Sequence, residues 1–206
     1  CVSSAASAVD KRQILQVAIV LVFTGMSYSD PLAAASVSRH DQTASGLEGW
    51  RLEDENIRIE LNPLMRDQVR AFYLGRGFSQ ALTESIASAC VYQAVIKNVS
   101  TLNPSAQLEV DLADWRLLYS EGEERPLVSK DEWTERWRRE GATSASLLAF
   151  KWATFPSKQY YKLNGDYGWG MLLFGTQASE PFDVLAVWRV GGKLAEQRIS
   201  GLYCPE

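Results

Sequence analysis

The sequence predicts an α+β domain: two consecutive helices and a short third helix packed on an antiparallel sheet that ends in a C-terminal hairpin. Three observations carry this. Ser79 to Asn98, SQALTESIASACVYQAVIKN, repeats apolar residues at Leu82, Ile86, Cys90 and Ala94, the spacing of one helix face. Ser129 to Glu140 opens on Ser-x-x-Glu and is followed by Gly141, a start signal and a stop signal twelve positions apart. Phe182 to Val190 and Leu194 to Tyr203 are β-rich runs joined by Gly191-Gly192, a two-residue hairpin connection.

Each element has a local reason. Trp50 to Leu61 reads as one strand, with Leu52, Ile57, Ile59 and Leu61 on a face opposite Arg58 and Glu60. Pro63, which lacks an N–H, ends it and suits the start of a helix from about Leu64 to Leu74, with Met65, Val69 and Phe72 inward. Gly75-Arg76-Gly77 breaks that helix, and Ser79 caps the next one by accepting a backbone N–H. Gln107 to Asp111 and Trp115 to Tyr119 alternate, and a turn at Glu121-Gly122 returns the chain through Arg125 to Val128. Trp133 and Trp137, four apart on the third helix, share a face. Ala145 to Thr154 is ambiguous: Leu148, Phe150 and Trp152 alternate like a strand, while Leu147, Leu148 and Trp152 fit a helix stopped before Pro156, the reading taken here. Lys158 to Leu163 is extended, Asn164-Gly165-Asp166 is a turn, and Trp169 to Phe174 is a strand.

The first thirty-five residues have another character. Lys11 and Arg12 precede the apolar run Ile14 to Phe23, and Ala33-Ala34-Ala35 offers a cleavage site. A positive start, a short apolar middle and a small-residue exit are the parts of a secretory signal peptide. The run is short of the roughly 20 residues that span a bilayer. The expected organisation is therefore an upstream segment and signal peptide over 1–35, a disordered polar arm over 36–49, and one globular domain over 50–206. The mature chain is expected to be periplasmic or secreted, with no membrane span after cleavage.

Export bears on the cysteines. Of the three, Cys1 falls in the removed segment, which leaves Cys90 and Cys204. An even pair in an exported chain reads as a disulfide. Asn98-Val99-Ser100 matches a glycosylation sequon, which matters only in a eukaryotic secretory pathway.

Several chemistries are disfavoured. The formal net charge is −4 and no long basic run occurs, so a phosphate-neutralising surface is not expected and no nucleic-acid partner is predicted. His40 is the only histidine and lies in the polar arm, which argues against Ser-His-Asp or Cys-His catalysis and against histidine-based metal or haem sites. Neither a Walker-type loop nor a dinucleotide fingerprint is present. No cofactor and no metal are expected.

Two features point to a surface. Arg76 sits between glycines beside the start of the Ser79 helix, where an anion would meet free N–H groups. Tyr160, Tyr161, Tyr167 and Trp169 cluster in YYKLNGDYGWG, where aromatic faces grip a ligand or partner and glycines permit close approach. The expectation is an exported non-catalytic binding or accessory protein, its partner a protein or a small ligand in the cell envelope. The alternative is a carboxylate-dependent hydrolase acting on glycans, with Asp166 and Glu180 in C-terminal turns as candidates.

Overall fold

The computed structural model describes residues 35–42, 46–101, 107–120, 122–162, 164–175 and 181–206. The expected signal segment up to residue 34, Glu121 and Glu180 lie outside the described residues. The chain enters through β1 (Ser36–Asp41), β2 (Glu48–Glu53) and β3 (Ile57–Pro63), continues through α1 (Arg66–Leu74) and α2 (Gln80–Ala87), and returns as β4 (Val91–Asn98). Three short strands follow, β5 (Leu108–Asp111), β6 (Arg116–Leu118) and β7 (Glu124–Pro126), then α3 (Lys130–Arg139) and α4 (Ser144–Ala153). The last four are β8 (Lys158–Tyr161), β9 (Tyr167–Leu173), β10 (Phe182–Val190) and β11 (Lys193–Leu202).

Mixed α+β architecture with antiparallel sheets and the β10–β11 hairpin is as the sequence predicts, but there are two sheets and a fourth helix. The first sheet has the order β1-β2-β3-β4-β9. The second runs β7-β6-β10-β5-β8, with β11 along the other side of β10. The sheets bury a shared core: Leu52, Ile59, Leu61 and Ile96 from the first, Val184, Trp188 and Ile199 from the second. Trp50 links them, since its indole N–H donates to the Ser200 carbonyl at 3.0 Å.

The helices cover part of the opposite face of the first sheet. Val69, Tyr73, Leu82, Ile86, Trp137 and Phe150 pack there against Val91, Met171 and Leu173. In antiparallel register Val91 lies opposite Leu173, Gln93 opposite Met171, Val95 opposite Trp169 and Lys97 opposite Tyr167. These pairs share one face. The helices close its Val91 end, and its Trp169 end stays open, because Trp169 and Tyr167 are exposed.

Four expectations need correction. The stretch 79–98 is a helix only to Ala87. Ser88 and Ala89 turn, Cys90 takes φ 55°, and Val91 starts β4, the strand between β3 and β9. Tyr92, Ala94 and Ile96 face the inter-sheet core, so an alternation was overlaid on the four-residue repeat. The single strand 50–61 is a hairpin. The Asp54 carboxylate accepts the N–H groups of Asn56 and Ile57, both at 2.7 Å, and turns the chain between β2 and β3. The arm 36–49 is ordered in its first part: β1 pairs along β2 from Ser36–Glu53 to Asp41–Glu48. The inner stripe of α1 is Val69 and Tyr73, while Met65 is exposed.

Other features agree with the sequence. Ser79 accepts the Leu82 N–H at 3.3 Å, and Ser129 and Glu132 form the reciprocal capping box of α3. The ambiguous stretch 145–154 is helical, as α4. Asn98 of the sequon is fully buried and bonds the Ser100 N–H and the Tyr161 carbonyl, so the folded chain offers no accessible glycan acceptor there. Among the described residues no helix is long and apolar enough to cross a membrane.

Candidate functional site

The five candidate residues separate in space. Tyr161 belongs to the core at 1% exposure, its hydroxyl without a hydrogen-bond partner, and burial pushes its phenol pKa up. Tyr160 lies on the second sheet under the ammonium of Lys158, 5.4 Å from its ring centroid. Tyr167 is exposed at the far end of β9. Only Arg76 and Trp169 line one groove, and they do so 93 positions apart in the chain.

The glycines around Trp169 serve the fold. A Cβ on Gly168 would come within 2.9 Å of the Tyr161 hydroxyl, and one on Gly170 within 2.6 Å of the Phe155 backbone. Both glycines let β9 approach its own neighbours, with Tyr167 and Trp169 alternating to the outer face. They do not admit a ligand. Gly170→Ala is therefore expected to destabilise by about 1–3 kcal/mol through overpacking. Urea denaturation would measure it, and an unchanged midpoint would contradict the close approach.

The groove itself is built by three elements. The end of α1 supplies Phe72, and the turn after it supplies Arg76. Helix α4 supplies Ala145, Leu148, Ala149 and Trp152, and β9 supplies Trp169. The cavity measures about 470 Å³, within the range of roughly 300–1,000 Å³ usual for ligand sites. Its large side chains are open to solvent: Trp152 at 82%, Trp169 at 61% and Leu148 at 58%.

Helix α4 explains why. Its inner face, Ser146, Leu147, Phe150 and Ala153, is buried. Ala145, Leu148, Ala149 and Trp152 form a second stripe at i, i+3, i+4 and i+7, on the outside. Lys151 is the helix's one charged residue. A helix apolar nearly all round is ordinarily buried on all sides, and this one is buried on one.

Arg76 is the one charged residue lining the groove among the described residues. Its guanidinium carbon lies 3.3 Å from the Phe72 ring centroid, and Nη1 donates to the Phe72 carbonyl at 2.9 Å. It thus folds back over the end of α1, and those contacts are with α1 alone. Arg51 and Arg58 each hold a carboxylate, Glu60 and Glu53, within 3 Å; no carboxylate of the described residues pairs with Arg76. Phe72, Leu148 and Trp152 escaped the sequence reading. The signal was the second stripe on α4.

The remaining candidates are structural. Trp133 and Trp137 stack at 5.2 Å with 15° between planes and are buried, so they pack α3 and offer no exposed platform. Cys90 and Cys204 are bonded, with Cα atoms 5.2 Å apart. His40 is held in β1, where Nε2 donates to Asn62 Oδ1 at 2.9 Å. Asp166 accepts the Lys162 N–H at 2.9 Å within its turn. Glu109 and Asp111, neighbours on one face of β5, are both tied to Lys158. Among the described residues no group of three or more His, Cys, Asp or Glu is placed to hold a metal ion. Comparison with protein-family models, curated proteins and solved structures gives no match.

Proposed function

We propose that this chain is an exported, non-catalytic binding or accessory protein of the cell envelope, and that it binds through the groove between α1, α4 and β9. One observation carries the reading: α4 presents a second apolar stripe to solvent, and that stripe continues onto Trp169. Leaving Trp152, Trp169 and Leu148 in water forgoes the burial each could gain, roughly 1.5–3 kcal/mol for a large apolar side chain. Contiguous apolar surface of this kind marks an interaction site. The signal-like segment 11–35 supports export, and the Cys90–Cys204 bond fits an oxidising compartment.

The test uses a neutral fluorescent probe, N-phenyl-1-naphthylamine, which brightens in apolar sites. The full chain is expected to bind it, and Trp152→Ala and Leu148→Ser are each expected to weaken binding several-fold. Both side chains are mostly exposed, so stability should shift by no more than about 0.5 kcal/mol. Probe binding indifferent to both substitutions would overturn the groove as the binding surface.

A further inference from the structure

We infer that the groove's ligand is a small amphipathic carboxylate, an acyl or aryl chain with a single anionic head that seats on Arg76; this rests on the groove being the binding surface. Among the described residues the lining is apolar or aromatic at every position except Arg76 and contains no acid. Its complement is an apolar body with one negative charge.

Arg76 is prepared for that head. Stacking on Phe72 and the bond from Nη1 to the Phe72 carbonyl fix the plane of the guanidinium. A guanidinium carries five N–H donors, so an edge remains for a two-point contact with a carboxylate. A ligand charge here would meet a cation that has no carboxylate partner among the described residues, whereas at Arg51 or Arg58 it would have to displace one.

The rest of the lining argues against an extended peptide. Leu148 and Ala149, at the middle of the lining, lie inside α4, where backbone N–H and C=O groups are spent within the helix. A strand laid along that stretch would leave amides of its own without partners, at a cost of the order of 1–3 kcal/mol for each one buried. A chain of methylenes or an aryl ring carries no such groups.

The experiment displaces N-phenyl-1-naphthylamine from the full chain with decanoate, decanol, decyltrimethylammonium and an N-acetylated apolar pentapeptide bearing a free C-terminal carboxylate. Decanoate is expected to displace the probe at about tenfold lower concentration than decanol, with the ammonium weakest. Arg76→Gln should abolish the preference for decanoate over decanol, and an unfolding midpoint close to that of the parent chain shows that the variant is folded. Equal potency of decanoate and decanol, a preference that survives Arg76→Gln, or tighter binding of the pentapeptide than of decanoate would each overturn the inference. Those results leave the groove standing as a binding surface, whereas failure of the probe itself to bind removes that reading as well.

Discussion

Cys204→Ser is expected to lower the unfolding free energy by about 3–4 kcal/mol under oxidising conditions and to change little under reducing ones. The bond joins positions 114 residues apart. Loop-closure entropy for a loop of that length gives roughly 4–5 kcal/mol. The expected loss is smaller because other contacts hold the same end. The Tyr92 hydroxyl donates to the Tyr203 carbonyl and accepts the Tyr203 N–H at 3.1 Å. The Tyr203 ring packs edge-on against Trp50 at 5.5 Å. These survive the substitution and keep the C-terminus on the core. Against a typical stability of about 5–15 kcal/mol the loss is large. Chemical denaturation of both proteins with and without reductant measures it. Equal stability of the two in oxidant would show that the bond contributes nothing.

Trp137→Ala is expected to cost about 3–5 kcal/mol. Trp137 is 1% exposed, stacks on Trp133 and meets Phe150 of α4 edge-on at 6.3 Å. It therefore joins α3 to α4 and both to the first sheet. Its indole N–H has no hydrogen-bond partner among the described residues. The whole loss is then packing, and Trp137→Phe, which keeps a ring, should cost much less. Equal losses for alanine and phenylalanine would point to that N–H instead. Because α4 carries the groove, the alanine variant should also bind N-phenyl-1-naphthylamine less well, whereas the Cys204 variant should not.

Elements with local chemical signals were legible in the sequence. Ser129 and Glu132 announce α3, Gly191-Gly192 announces the final hairpin, and Gly75-Arg76-Gly77 separates α1 from α2. What failed was carried by tertiary pairing. Cys90 turns the chain at φ 55° with no glycine or proline beside it, and alanines at 87, 89 and 94 let helical spacing run on into β4. Val91, Tyr92, Val95 and Ile96, β-branched and aromatic, were the available counter-signal. β1 is an edge strand exposed at nearly every position, so no apolar alternation could reveal it. Of the candidate site, Arg76 and Trp169 were visible, each notable for its glycine neighbours. That they share a groove depends on where α4 lies across the first sheet, and no local pattern encodes that.

The Cys90–Cys204 bond also has a consequence in time. Synthesis reaches Cys90 first and must make 114 more residues before its partner exists, about 6–23 s at 5–20 residues per second. Over that interval β4 has β3 available as a neighbour but waits for β9, which is made about 70 residues later. The thiol at the head of β4 is thus one half of a covalent bond that stays open through most of the chain's synthesis. An oxidant that acts on the nascent chain before residue 204 is made cannot form this bond, which closes only once Cys204 has emerged.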